Sequence, residues 1–137
     1  MKKLLYLSVV SSILISCISN NDGVNLSTDK IVGNWNLFSQ KTNSIETITD
    51  CKKQTTFNFE PDRILRQTFY SFINTDCKEN SQIISSWAFS GDSKYRITNS
   101  SGVSQTLEFS FSENDTKFSI SETDTNDIVT VSVFKKN

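Results

Sequence analysis

Histidine is absent from the 137 residues. With it goes the side chain most used as a general base near neutral pH and as a metal ligand. Basic charge is not in excess: the formal net charge is −1, and removing Lys2 and Lys3 with the leader leaves twelve basic against fifteen acidic residues. Nothing here draws the chain to nucleic acid. Glycine occurs only four times and forms no phosphate-cradling run, and the single proline, Pro61, sits between two apolar runs as a turn marker. Serine pairs such as Ser100-Ser101 have no base or nucleophile elbow to activate them. Glu108 beside Phe109 has no activating partner and reads as an outer-face charge. From these absences a non-catalytic chain without cofactor or metal is expected.

What is present is aromatic and β-branched. Ten Phe and two Trp stand in a chain otherwise rich in Ser, Thr and Asn, a mixture that suits half-buried strands. In Ile31-Val32-Gly33-Asn34-Trp35-Asn36-Leu37-Phe38 the residues Ile31, Gly33, Trp35 and Leu37 share one face, which predicts the first strand. Trp35 reads as a core plug, and Gly33 allows close approach beside it. The same period recurs in Phe57/Phe59, Trp87/Phe89, Tyr95/Ile97, Leu107/Phe109/Phe111, Phe118/Ile120 and Val129/Val131/Val133, and each stripe is expected to face inward. Ile45-Glu46-Thr47-Ile48-Thr49 offers a short second strand, Glu60-Pro61-Asp62-Arg63 a hairpin turn, and Asn74 to Asn80 a polar loop. Asp62, Asp92, Glu113, Asp115, Asp124 and Asp127 sit where the chain reverses, as turn chemistry asks. The whole is an all-β fold: an antiparallel up-and-down barrel of about eight strands, closure being the remedy for exposed edges.

Residues 1–16 join two lysines to a short apolar run ending in small Ser16, the pattern of a secretory signal peptide. Leu14-Ile15-Ser16-Cys17 resembles the bacterial lipobox, which implies cleavage between Ser16 and Cys17 and acylation of Cys17. More than one acyl chain would anchor the chain stably to a membrane. Residues 17–30 form the lipidated N-terminus and a polar tether, and 31–137 the folded domain. Only Asp22 is acidic near the lipid, so no acidic export run directs the protein outward, and the periplasmic face of the outer membrane is favoured over the cell surface.

Cys51 and Cys77 flank one predicted hairpin in a chain bound for an oxidising compartment, which predicts a disulfide; two free thiols are the other reading. Trp87 reads equally as core and as ligand platform.

Cys17, the short tether, Ile31-Val32-Gly33-Asn34-Trp35, a cysteine ahead of Thr55-Thr56-Phe57 and a second in the following loop together resemble the lipocalin-like lipoproteins of Bacteroidota. Gly33 and Trp35 match the opening lipocalin motif. The resemblance implies an eight-stranded barrel with a central cavity. Larger lipocalins also carry an arginine over the tryptophan, whereas here only Lys135 and Lys136 follow the last predicted strand. The expected function is a membrane-anchored, non-catalytic protein of the bacterial cell envelope that binds a small apolar or amphipathic ligand. The expected pocket opens away from Trp35, is lined by Trp87, Phe89, Phe109 and Phe111, and holds few or no charges. The alternative is a barrel filled by its own side chains that contacts an envelope protein or a glycan.

Overall fold

The computed structural model describes residues 29–137. The leader, the lipobox, Cys17 and the tether up to residue 28 lie outside the described residues. Ten strands follow in order: β1 (Gly33–Thr42), β2 (Ile45–Glu46), β3 (Thr56–Phe59), β4 (Ile64–Ile73), β5 (Asp76–Phe89), β6 (Lys94–Asn99), β7 (Ser104–Glu108), β8 (Ser110–Ser112), β9 (Lys117–Thr123) and β10 (Val129–Lys136). One 3-10 turn, Lys52–Gln54, interrupts them. No helix of the described residues is long and apolar enough to cross a membrane.

All pairings are antiparallel, in the order β7-β6-β5-β4-β3-β1-β10-β9-β8, with β2 attached to β1. The two ends of this sheet, β7 and β8, are separated in sequence by Phe109 alone. One bent strand therefore serves two neighbours: its first half pairs with β6 and its second with β9. Counting it once, the circuit has eight staves, and the wall closes through the chain itself. Above the bend, β7 and β9 approach each other without a hydrogen-bonded ladder, which leaves a seam in the wall.

Side-chain alternation fixes what faces inward. Trp35 and Leu37 on β1, Phe57 and Phe59 on β3, Leu65 on β4, Trp87 on β5, Tyr95 on β6, Phe118 and Ile120 on β9 and Phe134 on β10 are all buried in one cluster. Their rings meet edge-on or stacked: Phe118 lies 4.7 Å from Trp35, 4.9 Å from Phe109 and 5.0 Å from Phe134. On β10 the structure reverses the expected face. Thr130, Ser132 and Phe134 turn inward and pair with the inward residues Thr42, Gln40 and Leu37, while Val129, Val131 and Val133 take the outer face. Packing decides this: Phe134 fills the space between Phe57 and Phe118, and a one-residue slip would expel it.

The stretch expected to be a polar loop between Asn74 and Asn80 is mostly strand. β4 and β5 form one long hairpin turning at Asn74-Thr75, with Ile73 opposite Asp76. Asn74 takes φ +58, a conformation that Asn tolerates better than most residues. Two-residue turn chemistry therefore outweighed the polarity of the flanking residues. The second strand is shorter than expected, only Ile45–Glu46. Asp124 holds its turn by accepting hydrogen bonds from the N–H groups of Asn126 and Ile128. These bonds lower its pKa below the ordinary carboxylate value, that from Ile128 being the larger influence.

Candidate functional site

The interior divides into a sealed half and an open half. At the sealed end Trp35 is fully buried, and its indole N–H donates to the Ile31 carbonyl at 2.7 Å. The entering chain is strapped across this end. Tyr95 donates its hydroxyl to Asp29 at 2.7 Å, and Lys30 places its ammonium 4.1 Å from the centre of the Phe111 ring. Burial foremost, and then the Asp29 carboxylate, push the Tyr95 phenol pKa far above its ordinary value, so it stays a neutral donor.

Lys136 corrects the expectation that the last strand ends before the lysines. β10 runs through Lys136, which pairs with Trp35. Its ammonium sits 5.0 Å from the centre of the Trp35 ring and donates to the Lys30 carbonyl at 3.2 Å. The cation that covers the tryptophan is thus a lysine on the final strand. Gly33 makes room for it. At φ +136 a side chain is strained, and an added Cβ would stand 2.7 Å from Lys136 Cε. Gly33→Ala is expected to destabilise the fold by about 1–3 kcal/mol through backbone strain and displacement of Lys136. Chemical denaturation measures this, and an unchanged midpoint would refute it.

Opposite Trp35 the barrel holds two adjoining chambers, about 250 Å³ and about 170 Å³. The larger has an apolar floor of Phe57, Phe59, Leu65 and Phe109, and its wall carries Gln67, Ser85, Asn99 and Gln105. Gln40, Lys52, Thr55 and Ser132 line the smaller one. Here Lys52 donates to Gln40 Oε1 at 3.1 Å, and Gln40 Nε2 donates to Ser132 Oγ at 3.2 Å. Phe57 and Glu122 border both chambers.

A model of the lipocalin-like domain family matches residues 31–136. The chain belongs to the lipocalin-like domain family. No curated protein matches it. In this lipocalin-like barrel Gly33 and Trp35 meet Lys136 at the sealed end, and the cavity lies at the other.

The four residues expected to line the pocket are not brought together there. Phe109 forms part of its floor. Trp87 lies in the sealed half, 1% exposed, between Phe59 and Tyr95, and its indole N–H donates to the Glu60 carbonyl at 3.1 Å. Phe89 is 48% exposed at the sealed end, against Tyr95. Phe111 packs under Trp35 at 6.3 Å. The cavity is also not free of charge, since Glu122 and Lys52 both border it. Its polar wall follows from extending the same period two beyond the apolar stripes: Ile120 leads to Glu122, Ile97 to Asn99, and Leu107 back to Gln105.

The predicted disulfide is present. Cys51 and Cys77 are bonded with their Cα atoms 5.4 Å apart, joining the segment before β3 to the β4–β5 hairpin. Among the described residues no group of three or more His, Cys, Asp or Glu side chains is arranged to hold a metal ion.

Proposed function

We propose that this lipocalin-like domain is a non-catalytic binding protein that takes a small amphipathic molecule into the open half of its barrel. The two-chambered cavity carries this reading: an apolar floor to receive a hydrocarbon or aromatic body, and amide and hydroxyl groups nearer the mouth to meet a polar end. An eight-stranded barrel has room either for its own side chains or for one small ligand. The sealed half takes the first course and the open half leaves space for the second, which favours ligand binding over a solid interaction module. At about 250 Å³ the larger chamber lies just below the usual range for drug-sized ligands, so the occupant is small.

The proposal extends to location. The lipobox-like Leu14-Ile15-Ser16-Cys17 supports acylation of Cys17 and tethering to a bacterial outer membrane, on its periplasmic face, in the manner of the lipoproteins of Bacteroidota. Tests of the two parts are independent. Octanol titrated calorimetrically into the full chain carrying Cys17→Ser should bind saturably at one site, and absence of any heat of binding up to the solubility of octanol would refute the carrier reading. In cells fed labelled palmitate, the wild-type chain should take up label and Cys17→Ser should not; equal labelling of the two would refute the anchor.

A further inference from the structure

We propose that the ligand carries a positively charged head, an amine or similar cation, held by Glu122 at the junction of the two chambers. This rests on the binding reading above and names the class of molecule bound.

Glu122 continues the row of Phe118 and Ile120 on β9 and, exposed at the mouth, borders both chambers. Among the described residues it takes part in no ion pair. The larger chamber contains no lysine or arginine: its wall offers one carboxylate, the amides of Gln67, Asn99 and Gln105, and one hydroxyl. Asn99 Oδ1 already accepts the N–H groups of Ser101 and Val103, which leaves the Asn99 amide as a donor. Lys52, the one cation of the cavity, borders only the smaller chamber and spends one donor on Gln40. An anionic head in the larger chamber would therefore face Glu122 with no compensating base. A cation would find a partner, above an apolar floor that fits the rest of the molecule.

Charge at the mouth points the same way. The β9–β10 turn just beyond Glu122 carries Asp124 and Asp127 and no basic residue. Of the other acids at this end, Asp50 is paired with Lys53 at 2.9 Å and Asp76 with Lys78 at 3.2 Å, while Glu46 and Glu79 are in no ion pair among the described residues. Asp124 and Asp127 thus add negative charge beside Glu122, where it raises the local concentration of cations. A competing role for Glu122 is protective, because a charge on the upper half of β9, whose β7 side carries no ladder, discourages pairing with another chain.

The test compares octylamine, octanol and octanoate, which share a tail and differ in the charge of the head, on the full chain carrying Cys17→Ser. Octylamine should bind roughly tenfold more tightly than octanol, and octanoate more weakly than either. Glu122→Gln should remove the preference for the amine, and Glu122→Lys should turn the preference toward octanoate. If octanol binds but the three probes are ranked alike by the parent and by Glu122→Gln, the charge assignment is overturned while the carrier reading survives. If Glu122→Gln self-associates with its probe ranking unchanged, the protective role takes its place. Failure of all three probes to bind would overturn the carrier reading, and this inference with it.

Discussion

Trp35→Ala is expected to lower the stability of the domain by about 3–5 kcal/mol, the range for deleting a large buried aromatic. The loss has several sources that act together. Trp35 is fully buried, and its ring meets Phe118 edge-on at 4.7 Å. Alanine would leave a hole on the axis of the sealed half, and Phe118 and Phe134 on neighbouring strands cannot both move in without shifting the ladder that holds them. The Ile31 carbonyl would lose its 2.7 Å donor in a buried position. Lys136 would lose the ring beneath its ammonium. For a domain of this size such a loss consumes a large share of the total stability. Urea unfolding followed by circular dichroism measures it, and a change below about 1 kcal/mol would show that Trp35 does not hold the barrel's end.

Removing the disulfide through Cys51→Ser with Cys77→Ser is expected to cost about 3.5 kcal/mol, from the loop-entropy relation applied to a separation of 26 residues. The effect should fall on the unfolded chain more than on the folded one. Cys77 pairs with Phe72 in a regular ladder, and Cys51 is followed by a turn closed by its own backbone bonds, so both sides keep their local structure without the bond. The signature is a lower unfolding midpoint with an unchanged circular dichroism spectrum. Thiol titration of the unfolded, unreduced wild-type chain should find neither Cys51 nor Cys77 free. Reactive thiols at those positions, or a double variant as stable as wild type, would contradict the assignment.

The sequence announces the sealed half well. Rings at period two favour a buried face, so Trp35, Phe57, Phe59 and Phe118 are legible as core before any coordinates are known, although Phe89 of the Trp87/Phe89 stripe is exposed. β10 was less legible because both of its faces have strand character. Three valines make an attractive stripe, and only the long-range contact of Phe134 with Phe57 and Phe118 shows that the threonine and serine face is the inner one. The cavity is hidden in the sequence for a related reason. Apolar stripes mark where a barrel is filled, whereas a chamber occurs where the inward row changes to Gln, Asn, Ser and Glu, residues that in isolation look like solvent-facing positions. A lysine at the end of a strand reads as solvated, and only the pairing of Lys136 with Trp35 across β1 and β10 places it over the indole.

The seam between β7 and β9 gives the wall a mechanical asymmetry. Spreading any other pair of neighbouring staves breaks ladder hydrogen bonds, each contributing about 0.5–1.5 kcal/mol. Spreading β7 from β9 breaks none, because each is already laddered to its other neighbour, β6 or β10. The bend at Phe109 stays fixed at the foot of the seam, held by the bond from its N–H to the Ser93 carbonyl at 2.9 Å and by the rings of Tyr95 and Phe118. The two strands can therefore part like the blades of a clothes-peg, pivoting on a buried ring. Val103 and Gln105 move on one blade and Glu122 on the other, and all three border the larger chamber. On the proposed binding role, this seam is the side at which a molecule wider than the resting mouth would enter, with the hydrogen-bonded frame and the sealed end left intact.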